Sequence, residues 1–153
     1  MRRTDREITD RAEIEAVLNE AVYATFALCD GDEPYAVPLN FAYHDGIVYV
    51  HSACEGRKVD ILGRNPSVCF SAVVGAELTP AGTPCVWDMR YRSVNGSGTA
   101  EVVGDPAEKA WALNLLMRKY SGKGDHVFTE SQLAHLAVFR VRVRAMTGKR
   151  GMA

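Results

Sequence analysis

The spacing of apolar and polar positions changes period twice along this chain. Near the N-terminus Ile14, Val17, Leu18 and Ala21 recur at helical intervals. Asp10 and Glu13 stand at capping-box separation, so a first helix is predicted from Asp10 to Glu20. The period then shortens. TFALCD (25–30), PYAVPLNFAY (34–43) and IVYVHSA (47–53) are separated by DGDE and HDG, which predicts an antiparallel meander of three strands. A short helix ending at GRNP follows, then strand-like SVCFSAVVGA (67–76) and a loop, ELTPAGTP (77–84). CVWDMRYRSVNGSGTAEVV (85–103) reads as extended, with NGSG inside it; glycines there predict a bulge, a bend or the close approach of another group.

Helical period returns in GDPAEKAWALNLLMRKY (104–120), with Asp105 as N-cap, Pro106 at the first position and Glu108 completing a capping box. The last run, AVFRVRVRAM (137–146), puts Phe139, Val141 and Val143 on one face and Arg140, Arg142 and Arg144 on the other. About six mostly antiparallel strands and three helices in so short a chain predict a mainly β (α+β) fold, a closed or partly closed barrel with helices at its ends or flanks.

Composition narrows the function classes. At 153 residues, without linker, repeat or low-complexity segment, the chain makes one domain with a substantial core. A net charge of −1 recruits neither nucleic acid nor an anionic membrane. The arginines of the last strand have no interleaved aromatic platform and read as a solvated face. No window has the length of a membrane span, and MRRTDREITD lacks the apolar stretch of a signal peptide, so a cytoplasmic protein is expected. Cys29, Cys54, Cys69 and Cys85 have no metal-type spacing with one another or with His44, His51, His126 and His135, and no metal site is expected. Cys29 and Cys69 lie in apolar runs and are expected to be buried free thiols.

Three places carry candidate chemistry. Gly56, Arg57 and Lys58 open the short second helix, where the partial positive charge of a helix N-terminus disfavours cations. A bound phosphate explains them: the first amides point at the anion, glycine lets the backbone approach, and the two side chains supply charged donors. The alternative is a solvated pair of cations balanced by Glu55 or Asp60. His51 ends a strand beside Ser52 and Ala53, where it either serves a ligand or proton transfer or is a structural hydrogen-bonding group. Pro38 interrupts AVPLNFAY and marks an edge or a bulge. Backbone groups at Val37, Leu39 and Asn40 are then free for a ligand, unless the strand is a plain edge.

AVPLNFAY, YVHSACEGRKVDILGRNPSVCF and SV…GTAEVVGDPAEKAWALNLLMRKY together resemble the pyridoxamine 5′-phosphate oxidase-like FMN-binding split barrels, and within them the nitroimidazole-resistance proteins. The resemblance covers nearly the whole chain. It implies a six-stranded split barrel that pairs as a homodimer with FMN at the interface. Gly56, Arg57 and Lys58 match the phosphate-binding turn, and Val37, Pro38, Leu39 and Asn40 the segment along the flavin ring. His51, Ser52 and Ala53 match the strand end beside the cofactor, with His51 at the substrate end in a catalytic role. Ser93 matches a polar position near FMN. Asn95-Gly96-Ser97 departs from the apolar residues of that pattern.

The resulting expectation is an FMN-dependent oxidoreductase that passes electrons from NADH or NADPH to a small oxidised acceptor such as a nitroaromatic. The alternative is a flavin- or haem-binding module without turnover. Pyridoxamine phosphate oxidation itself is disfavoured, since the C-terminal region offers only Lys149 and Arg150 toward a second phosphate.

Overall fold

A computed structural model describes residues 3–151. Strands β2 (Ala24–Asp30), β3 (Glu33–Leu39), β4 (Phe41–His44), β5 (Ile47–Ala53), β6 (Ser67–Thr79), β7 (Asp88–Val102) and β8 (Leu136–Gly151) form one antiparallel sheet. Their order is β3-β2-β6-β7-β8-β5-β4, and the two-residue β1 (Glu7–Ile8) adds to β8. The ends of that path, β3 and β4, are consecutive in the chain and separated by Asn40 alone. A flat sheet would hold its two edges several strands apart, so this one rolls up until they meet at a corner. The result is a split barrel.

The expected architecture is therefore present, with four differences in detail. Among the described residues there are eight strands rather than six, and four α-helices rather than three. The three-strand meander does not form: among the described residues β3 pairs only with β2 and β4 only with β5, because the run 34–43 breaks at Asn40. Pro38 does lie on an edge strand. The loop expected at residues 77–84 is strand as far as Thr79.

The interior is filled by Phe26, Phe41, Phe70 and Phe139 with Val48, Val50, Val68 and Val94. Phe26 meets Phe41 edge-on at 6.4 Å and Phe70 at 5.9 Å between ring centroids. Helix α1 (Arg11–Glu20) packs Ile14, Val17 and Leu18 into this core, and α2 (Arg57–Arg64) adds Ile61. Helices α3 (Pro106–Ser121) and α4 (Glu130–Ala134) pack outside β4, β5 and β8 and bury Tyr49 and Val138 in a second cluster. Strand β5 is thus covered on both faces, which is why IVYV is continuously apolar.

Helix ends use fewer reciprocal caps than expected. Asp10 accepts from the Ala12 amide, and Glu13 pairs with Arg150 at 2.7 Å. Asp105 caps the Glu108 amide, but Glu108 itself pairs with Arg140 at 2.8 Å. The complete capping box, Thr129 with Gln132, belongs to α4.

Local irregularities bend the long strands. Opposite Tyr91, β6 carries two residues, Gly75 and Ala76, and Gly75 has φ +60°, as a glycine bulge requires. Strand β8 holds Arg144 as an extra residue between Val143, opposite Gly98, and Ala145, opposite Ser97. The expected alternation therefore ends at Val143 and resumes one residue out of phase, with Met146 and Gly148 turned inward. Strand β7 runs unbroken through NGSG. Gly96 faces the ring of Phe70, and a Cβ there would lie 2.1 Å from Phe70 Cζ.

One expectation about the core is overturned: Cys29 and Cys69 are both exposed. They occupy outward positions of their strands, Cys29 next to the buried Leu28 and Cys69 between the buried Val68 and Phe70. An apolar run hid an alternation in which cysteine sat on the outer face.

The Gly96–Phe70 contact gives a direct test of the rolled sheet. Gly96→Val should destabilise the fold by about 1–3 kcal/mol in urea denaturation, through overpacking. Phe70→Leu in the same chain should recover part of that loss.

Candidate functional site

The start of α2 faces the mouth of the barrel beside the end of β5. Gly56 is the N-cap, with φ +112°, a conformation that excludes other residues without strain. Its carbonyl accepts from the Val59 and Asp60 amides at 2.8 and 3.1 Å. The Arg57 and Lys58 amides have no partner among the described residues, as the first turn of a helix dictates. Ile61 is fully buried under this turn, with Val59 and Leu62 packed against the same core, which fixes how the helix enters.

The two cations behave differently. Arg57 turns to β3: Nη2 donates to Glu33 Oε1 at 2.6 Å, and the guanidinium lies 4.9 Å from the Tyr35 ring centroid. Neither Glu55 nor Asp60 is its partner. Lys58 is half-buried and, with Leu39, Val50 and Leu62, lines a residual interior void of about 10 Å³. Among the described residues no carboxylate pairs with its ammonium, and burial lowers its pKa. His51 also titrates below its ordinary value, first through desolvation and then through the Lys58 charge. Two neighbouring basic groups without an acid make a pocket of positive potential at a helix N-terminus.

Val37 and Leu39 turn partly into the core, while Pro38 and Asn40 are exposed on the edge. The Asn40 side-chain amide donates to the Val22 carbonyl at 3.1 Å, so this end of Asn40 holds the corner. Ser52 Oγ donates to the Ala53 carbonyl at 2.7 Å, and Ala53 is exposed where β5 ends. Leu39, Val50, His51 and Lys58 are thus brought together from three separate segments.

Ser93 is not part of this cluster. It is buried to 5% exposure on the outer face of β7, with Oγ 3.5 Å from the Lys149 carbonyl. Along β8, His51 is opposite Val138 and Ser93 opposite Lys149. Those positions are about 35 Å apart along a strand. Within one chain Ser93 cannot reach a ligand at α2.

That outer face has its own character. Thr25, Ala27, Cys69, Ser71, Asn95 and Ser97 line an open groove of about 480 Å³ across β2, β6, β7 and β8. The outside of an antiparallel sheet ordinarily carries long charged side chains; here the residues are small and uncharged. Sequence reading missed this face, and also Glu33 and Tyr35 as partners of Arg57, because each arises from strand pairing rather than local spacing. Among the described residues no cluster of His, Cys, Asp or Glu is placed to hold a metal ion, and no helix is long and apolar enough to cross a membrane.

Comparison with known proteins agrees with the fold. The chain superposes on a candidate 5-nitroimidazole antibiotic resistance protein from Bacteroides thetaiotaomicron with TM-score 0.85 and 32% identity, over 95% of this chain and 86% of the other. The flavocytochrome Anf3 from Azotobacter vinelandii aligns at TM-score 0.86 and 20% identity, over 100% of this chain and 72% of its own. The FAD and haem binding protein from Mycobacterium smegmatis gives TM-score 0.86 and 20% identity, over 97% and 74%. At that identity the last two share the fold alone. No curated protein matches the sequence. The sequence model of pyridoxamine 5′-phosphate oxidase matches residues 10–150, and the chain belongs to that family.

Proposed function

We propose that this protein is a homodimeric FMN-binding oxidoreductase that reduces a small oxidised acceptor, such as a nitroaromatic compound, with electrons from NADH or NADPH. The observation that carries the cofactor assignment is the half-buried Lys58 ammonium, without a carboxylate partner among the described residues, beside the free amides at the start of α2. Burying a cation without an acid is costly unless an anion joins it. A phosphate monoester suits the site because it accepts from amides, ammonium and guanidinium at once. Gly56 keeps the approach open, and Arg57 would exchange Glu33 for the phosphate.

The flavin ring would then lie along the exposed edge of Val37, Pro38, Leu39 and Asn40, close to His51, Ser52 and Ala53. Bound flavin supplies the redox chemistry; the chain binds it, orients it and sets its electrostatics. His51 would position the acceptor or, in the protonated form that a bound phosphate favours, deliver a proton to it. The nitroimidazole-resistance relative at 32% identity supports a nitroaromatic acceptor.

The uncharged groove across β2, β6, β7 and β8 supports pairing with a second copy, since small residues let two sheets approach closely. Pairing would also bring a partner chain's β7 toward a site that the same chain's Ser93 does not reach.

Purified protein should take up FMN and turn yellow, bleach with NADH or NADPH, and recover colour when a nitroimidazole is added. A Soret band in place of flavin absorbance would assign haem instead, and flavin that neither donor bleaches would make the protein a passive binder. Lys58→Ala should weaken FMN binding about tenfold or more, since a charged hydrogen bond is lost. Arg57→Ala should weaken it further, whereas Glu33→Gln should strengthen it by freeing Arg57; fluorescence titration reads all three.

In the free protein the His51 NMR titration should fall below pH 6.5, and Lys58→Met should move it upward. Below 6.5 the unfolded chain takes this proton first, so acidification favours unfolding. FMN should raise the His51 pKa and reverse that contribution. Charges placed in the groove, Ala27→Arg with Ser71→Arg, should give a monomer by sedimentation with FMN affinity lost.

A further inference from the structure

The corner where the barrel splits is held by two consecutive residues of α3. Among the described residues strand β4 has a neighbour on one side only, β5, where Phe41 is opposite Val50. The Phe41 amide and carbonyl turn to the other side, the open edge. There the Tyr120 hydroxyl meets both. It accepts from the Phe41 amide at 2.9 Å, and its single proton is shared between the Phe41 carbonyl at 3.0 Å and the Val22 carbonyl at 2.8 Å. One phenol therefore stands in for the missing strand. The same Val22 oxygen receives the Asn40 side-chain amide, so Asn40 and Tyr120 converge on one acceptor.

Lys119 grips Phe41 from another direction. Its ammonium lies 3.6 Å from the Phe41 ring centroid and donates to the Leu18 carbonyl at 2.8 Å, in the last turn of α1. A cation is favoured over an aromatic face and at a helix C-terminus. Burial lowers the Lys119 pKa to about 8, which leaves the amine mostly charged near neutrality.

We infer that Lys119 and Tyr120 are positioning residues that clamp the Leu39–Asn40–Phe41 corner and thereby set the edge on which the flavin ring rests. The inference builds on the flavin reading above. Tyr120 is 41% exposed, and neither residue belongs to the two buried clusters. Both reach into one corner, and the backbone they hold directly continues Val37–Asn40. Removing the hydroxyl leaves the side chains of both cores in place and deprives the Phe41 amide and carbonyl of that one partner. Corner order and cofactor geometry should therefore change more than global stability.

The test is Tyr120→Phe in the full chain, with four readouts: urea midpoint, FMN dissociation constant, flavin midpoint potential, and hydrogen exchange at the Phe41 amide. The expected result is a nearly unchanged urea midpoint and faster Phe41 exchange. FMN should bind about five- to tenfold more weakly, as the loss of one hydrogen bond implies, with a shifted potential. Lys119→Met should act in the same direction and Lys119→Arg should restore most of the effect. Wild-type affinity and potential in Tyr120→Phe would overturn the inference, as would affinity lost only in proportion to stability. If the wild-type protein takes up no FMN, the flavin reading itself fails. The clamp is then decided by the Phe41 amide alone: faster exchange in Tyr120→Phe upholds it and unchanged exchange overturns it.

Discussion

Passing from one edge of the sheet to the other through a single residue is the constraint on which this molecule depends. Asn40 is all that separates β3 from β4, yet five strands lie between them in hydrogen-bonding order. The sheet must curl until its ends share a corner, and the phenylalanine core then has an inside to fill. Bulges at Gly75 and Arg144 provide the extra twist, and Gly96 leaves room for the Phe70 ring. Closure also places the site: it brings Leu39 from the edge strand against Lys58 and Val50, which the linear sequence keeps apart.

Much of this was legible where the signal was local. Period-two alternation in the last strand, the proline-led helix after Asp105 and the glycine before Arg57 each rest on backbone rules that act within a few residues. The Asp45–Gly46 hairpin is of the same kind, both residues having positive φ. The break at Asn40 was not legible, because AVPLNFAY has neither glycine nor a turn dipeptide there. Its cause is tertiary: Tyr120, far along the chain, satisfies the backbone that the break exposes.

The candidate site shows the same division. Gly56, Arg57 and Lys58 stood out because cations at a helix start oppose its dipole; in the structure the Lys58 charge reaches His51, while Arg57 turns to Glu33. Glu33 could not be found, since its meeting with Arg57 requires β3 to lie beside α2. Ser93 was assigned through resemblance, and strand register places it at the far end of β8 from His51. The cysteines were misjudged because burial alternates along a strand even where composition is uniformly apolar.

The pairing of Arg57 with Glu33 has a consequence for ionic strength. Both side chains are exposed, so dissolved salt screens their attraction. The same salt screens any anion that approaches the guanidinium. Raising it therefore weakens the competitor and the guest together, and the two losses partly cancel. Lys58 has no such internal rival, so it alone should impose the full electrolyte dependence on a phosphate seated there.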